Sequence, residues 1–105
     1  LASAIPAGTA LKALFLTVRG DAFVDLSPEV TTRHPGGALN ELFTVYAIVD
    51  AVTVNLPSIS RVQILVDGRE VDTLAGHVDL RHPLQKNLKW LAPAALPAAP
   101  VAEAR

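Results

Sequence analysis

Residues 38–54 contain neither glycine nor proline, and this uninterrupted stretch lies between two segments rich in strand-forming residues. At about seventeen residues it is far longer than the five or six of an ordinary strand. The valines, threonines, tyrosine and isoleucine of TVYAIVDAVTV favour β structure. Against that, Leu39, Leu42, Phe43, Tyr46 and Val49 recur at helical spacing, and Val45, Ile48 and Val52 form a second row that widens the apolar stripe. Length decides, and the stretch is predicted as one long helix stopped by Asn55-Leu56-Pro57. Such a stripe needs a second layer to cover it.

The flanking segments supply that layer. Residues 10–18 are mostly apolar, Arg19-Gly20-Asp21 interrupts them, and Ala22-Phe23-Val24-Asp25-Leu26 resumes, which reads as a hairpin. Ala22, Val24 and Leu26 share one face of the pleat and are the expected core side, with Phe23 and Asp25 opposite. Asp25 is expected to accept backbone hydrogen bonds near Leu26-Ser27. Ser27-Pro28 ends the strand, and 31–37 is expected to be an exposed loop. Beyond the helix, residues 60–67 alternate with Val62, Ile64 and Val66 on one face. Asp67-Gly68 is a type I′ turn signal, and 69–73 is expected to pair back. His77-Val78-Asp79-Leu80 follows as a further short strand or an ordered loop.

These elements predict an α+β fold: a small mixed sheet of four or five short strands with one long helix packed on one face. Half of the 105 residues are hydrophobic, enough for one modest core. Residues 1–91 are assigned to that domain, and the alanine- and proline-dominated residues 92–105 to a flexible tail, with Trp90 anchoring a short packed turn before it. A net charge of −1 creates no field to gather phosphates, so nucleic acid is not an expected partner. The absence of cysteine excludes disulfides and thiolate metal sites. No run approaches the ~20 apolar residues of a membrane span. Because the chain starts at Leu1, a signal or anchor is expected upstream.

Three histidines raise a metal hypothesis, since His77 and Asp79 two apart on a strand would share a side, with His82 close by. A metal centre needs three or four converging ligands, and the pattern supplies no closed set, so no cofactor or metal is expected. Asp21, Asp25 and Glu29 are scattered over a hairpin and a loop and lack a nucleophile with an adjacent base. Arg19-Gly20-Asp21 matches a three-letter adhesion motif, which a hairpin glycine explains without function. Gly8, Gly36 and Gly37 lack a phosphate-loop context, and Gly37 is better placed just before the helix. Arg61, Asp67 and Arg69 are the candidate sheet-edge contacts, with Glu70 as a further solvated charge.

Ile5-Pro6-Ala7-Gly8-Thr9, the AFVDLS run at 22–27, the helical 41–52, VQILVDG at 62–68 and Gly76-His77-Val78-Asp79-Leu80 together resemble the GerMN domain, named after the spore-germination and sporulation protein GerM. The resemblance covers 3–84 and lacks the family's first strand and helix. It implies a fold like the small ring-building domains of the channel between mother cell and forespore. It also implies a non-enzymatic, extracytoplasmic module of the cell envelope, often a lipoprotein. With a covering helix missing, apolar surface has to be buried by another molecule, by the tail or by repacking, and the expectation is self-association, as a dimer or strand-exchanged assembly, or contact with another envelope protein. The alternative is a small-ligand or cell-wall-glycan module with a pocket lined by Trp90, His77 and Asp79; a hydrolase ranks third.

Overall fold

A computed structural model describes residues 4–87. The hairpin forms as β1 (Leu11–Leu16) and β2 (Asp21–Leu26), with Phe15 opposite Phe23 and Leu16 opposite Ala22. A one-turn α1 (Glu29–Thr32) and the long α2 (Ala38–Asn55) lead to β3 (Arg61–Val66) and a two-residue β4 (Arg69–Glu70). The sheet runs β1-β2-β3-β4; β2 and β3 are parallel and the outer pairs antiparallel. This is the small mixed sheet with one long helix that the sequence predicts.

Alternation sets the two faces of the sheet. Ala22, Val24 and Leu26 of β2 and Val62, Ile64 and Val66 of β3 are all buried, packed with Val45, Ile48, Val49 and Val52 of α2. Leu14 and Leu16 pack at the margin of this core. Phe15, Phe23 and Leu65 alternate with these residues and so lie on the far face.

The helix is rolled relative to the stripe expected from spacing. Its second row, Val45, Ile48 and Val52, joins Val49 at the centre of the core, whereas Leu39 is 55 % exposed and Leu42, Phe43 and Tyr46 are only half-buried. The polar side chains Glu41 and Thr44 take buried positions instead. A pattern count assigns polar residues to the outside, and here tertiary partners override it.

Two local differences have identifiable causes, and one open alternative is decided. Residues 29–32 form a helical turn that takes in the first two residues of the loop expected at 31–37, seeded by Pro28 with φ −61° and anchored by fully buried Val30; one turn is too short to leave a period in sequence. The return strand stops at Glu70, short of 73, where the outer backbone groups of Val62 are bonded to Leu84 and the C=O of Asp72 accepts Leu80 N–H. Residues 77–80 take the ordered-loop alternative. Trp90 and the expected 92–105 tail lie outside the described residues.

The two hairpin turns fit their residues. Asp67 and Gly68 have φ +53° and +78°, the pair of positive values that a type I′ turn requires. Gly20 is buried with φ +93°, and its C=O accepts the N–H of Ser60 at 2.8 Å; an added Cβ would lie 3.1 Å from Ser58 O. The glycine of Arg19-Gly20-Asp21 is thus fixed by the docking of the first turn onto the start of β3.

Ile64 is 1 % exposed at the centre of the sheet. Ile64→Ala is expected to cost ~2–5 kcal/mol in urea denaturation, from lost burial and the cavity left behind. Arg69→Ala, at an exposed position, is expected to stay within ~0.5 kcal/mol.

Candidate interaction surface and its buried anchors

The free edge of β1 and the far face beside it form the candidate surface. Among the described residues no strand pairs with the outer side of β1. Thr17 N–H donates to Asp21 C=O, so by antiparallel alternation Leu14 and Leu16 direct their backbone groups away from β2. Leu11 (51 %), Phe15 (57 %) and Val18 (106 %) are exposed in this same short stretch. Phe15 sits opposite the half-buried Phe23, forming an aromatic cross-strand pair on the face that α2 leaves uncovered.

The edge residues named from sequence are spread over different places. Arg61 lies in β3, an inner strand, and its Nε stands 2.7 Å from Asp21 Oδ1, an ion pair held by charge because the N–H is not aligned for a hydrogen bond. Asp67 pairs with Lys12, tying the β3–β4 turn to the base of β1; this contact holds the Asp67 carboxyl below its usual range and raises the Lys12 amine. Arg69 is exposed on β4. Asp25 accepts the N–H of Gly68 at 2.7 Å, not those near Leu26-Ser27, and so fixes the second turn from the neighbouring strand.

His77 and Asp79 are not brought together. Asp79 accepts the backbone N–H and the guanidinium of Arg81 at 2.9–3.1 Å, which lowers its pKa to about 2. His77 turns inward to Glu41, with Nδ1 at 3.3 Å from Oε1. His82 lies 4.0 Å from Asp79. His34 is far along the chain, its Nδ1 accepting the N–H of Gly36 and its Nε2 meeting Thr44 Oγ1, which itself donates to Ala4 C=O. Among the described residues no three His, Asp or Glu side chains converge as metal ligands. An open hollow of about 590 Å³ is lined by Thr53, Val54, Pro57, Ile59, Ser60, Gln85 and Lys86, away from His77 and Asp79.

The sequence reading missed two buried carboxylates on α2. Glu41 is fully buried in the first turns of the helix and accepts the N–H groups of Leu74, Ala75 and His77 at 2.8–2.9 Å. Burial pushes its pKa up, but the N–H groups of Ala75, His77, Val78 and Leu74 outweigh that and leave it below the usual glutamate value. Asp50, also fully buried, accepts Asn87 N–H at 2.9 Å through Oδ1, while Oδ2 has no hydrogen-bond partner among the described residues. Here burial dominates over Asn87 and Lys86, and the pKa is raised. A Glu and an Asp inside an otherwise apolar helical run were the available signal.

The opposite shifts predict opposite pH dependences. A lowered carboxylate pKa contributes stability that is complete above the ordinary glutamate range and is lost as pH falls through the folded value. Glu41→Gln is therefore expected to be ~2 kcal/mol less stable than wild type near neutrality, with the difference shrinking in acid. For Asp50 the charged form is disfavoured by folding, so Asp50→Asn is expected to be about 1 kcal/mol more stable near neutrality, the gain vanishing in acid. Urea denaturation over a pH series measures both.

Comparison with known proteins agrees with this architecture. No curated protein matches the chain. A crystal structure described as a "putative lipoprotein" from Clostridium perfringens is similar at 32 % identity and a TM-score of 0.68, over 82 % of this chain. The chain spans about half, 55 %, of that structure's length. The Germane family, described as sporulation and spore germination, matches residues 1–72. The GerM-like pattern in the sequence and the β-α-β sheet it folds into thus have one source: this chain belongs to the Germane family of sporulation and spore-germination domains.

Proposed function

We propose that this domain is a non-enzymatic protein-interaction module of the cell envelope that assembles through the β1 edge and the Phe15–Phe23 face. The observation that carries the reading is the exposure of Leu11 and Phe15 on one unpaired edge strand, with exposed Val18 in the turn that follows it. Added strands gain affinity from backbone hydrogen bonds and selectivity from alternate side chains. Leu14 and Leu16 offer the first, and Phe15 beside Phe23 offers the second. An envelope location is supported by the description of the clostridial structure, and a sporulation or germination setting by the family.

The polar groups singled out in the sequence favour a scaffold over a reacting centre. Asp25 holds a turn, Asp79 closes a loop on Arg81, Asp21 pairs with Arg61, and His77 packs on Glu41. Each is engaged with a neighbour that fixes backbone.

Self-association is the expected behaviour. Sedimentation velocity over a concentration series is expected to show a monomer–oligomer equilibrium, and Phe15→Lys, which places a charge on the edge strand, is expected to shift it to monomer with an unchanged circular dichroism spectrum. A chain that stays monomeric at high concentration, with Phe15→Lys indistinguishable from it, overturns self-assembly. Saturable heat on calorimetric titration with a peptidoglycan fragment would instead favour the glycan-binding alternative.

A further inference from the structure

Residues 72–84 run along the outer side of β3 without joining the sheet as a strand. They close on themselves: Leu80 N–H donates to Asp72 C=O at 2.7 Å, Gly76 N–H to Thr73 Oγ1 at 3.0 Å, and Arg81 clasps Asp79. A segment whose ends are tied by its own bonds keeps its shape when it moves. It is held to the rest of the domain by discrete polar ties and by Leu74 and Leu80, which belong to the core, with Val78 and Leu84 packed against it. The Glu41 carboxylate takes three of its N–H groups, Gln63 Nε2 donates to Leu80 C=O at 2.7 Å, and Leu84 exchanges two bonds of 2.8 Å with Val62. Leu74 and Leu80 are its buried side chains.

We propose that residues 72–84 are a strap that opens as one cooperative unit, without global unfolding, with Glu41 as its latch, and that opening uncovers the outer edge of β3. The carboxylate makes this opening accessible. Glu41 is charged and wholly enclosed, and the strap supplies the backbone donors that replace its water. When the strap lifts, those donors are lost but the charge is rehydrated, which offsets much of the cost. His77 is the ionisable side chain that meets the carboxylate, and it leaves with the strap. What Leu84, β4 and the strap cover while closed is the side of β3 away from β2.

Amide hydrogen exchange by NMR on the whole chain at one fixed pH tests this. The amides of Leu74, Ala75, His77, Leu80 and Leu84 are expected to share one level of protection, at least about tenfold below that of Val45, Ile48 and Val49 in α2. In Glu41→Gln the protection of all five is expected to fall together by about tenfold or more, including Leu80 and Leu84, whose amides are not bonded to Glu41, while the α2 amides lose no more than the fall in global stability and stay the better protected set. Strap amides as protected as those of α2, or loosening confined to Leu74, Ala75 and His77, would overturn the proposal. If Glu41→Gln does not fold, Gln63→Leu cuts a different tie. It must then loosen Leu74, Ala75 and His77 along with Leu80, and exchange unchanged at those three amides rejects the strap.

Discussion

Two parallel strands cannot be joined by a turn, and β2 and β3 are parallel. The chain must leave the end of β2, travel the length of the sheet and re-enter beside its own starting point. That requirement fixes the rest of the domain. The crossover has to be about as long as the sheet, which an eighteen-residue α2 provides, and it must cover one face, which sets the inward register of Ala22, Val24 and Leu26 against Val62, Ile64 and Val66. A slip of one residue in either strand would turn these side chains outward and place Phe23 and Gln63 in the core. Both hairpins then become edge decorations on a β-α-β unit. The first turn is fixed by the Gly20 carbonyl, which receives the N–H groups of Ser60 and Arg61 as the chain enters β3.

Irregular segments are held to this unit by buried polar groups. A core built from valine, isoleucine and leucine is indifferent to small shifts of the loops over it, whereas a buried carboxylate tolerates few arrangements of donors. Glu41 therefore positions 74–77, Asp25 positions the Gly68 turn, Gln63 positions Leu80, and Asp50 receives Asn87. Of these, Asp50 is the imperfect one, with an oxygen left unpaired among the described residues and a raised pKa. Glu41 is fully supplied and stays charged. The same helix thus carries one carboxylate that steadies the structure and one that weakens it.

What was legible in the sequence follows from this division. The strands, the long helix, the Asp67-Gly68 turn and the inward faces of β2 and β3 rest on local period and local turn chemistry, which are written in neighbouring residues. The roll of α2 was not legible, because Glu41 and Thr44 look like surface positions until their partners arrive from residues 74–77 and from Ala4. The early stop of β4 likewise depends on distant partners, since the outer groups of Val62 that residue 73 would meet are taken by Leu84 and the C=O of Asp72 is taken by Leu80. His77 and Asp79 were read as neighbours because a strand would align them; in a loop closed by Asp72 and Leu80, two residues of separation turn them to different partners. Family resemblance was carried by the hairpins and the helix, which local rules describe well, and by two irregular stretches at 5–9 and 76–80, which they do not.

The sheet's two outer sides are treated differently, and the difference bears on assembly. Beyond β3, a two-residue strand, the Leu84 bridge and the strap share the covering. Along β1 the devices that blunt an edge strand lie at one end: the bulge between Leu11 and Ala13, and Lys12, whose charge is drawn back to Asp67. From Leu14 to Val18 there is neither bulge, proline nor charge, while the outward backbone groups of Leu14 and Leu16 stand beside exposed Phe15. A strand arriving there is blocked from sliding toward the bulge and has a short run over which to pair. If a strand is added there as proposed, the edge would limit its register, and the aromatic pair near the start of that run would give the correct register an apolar contact that a slipped one would lose.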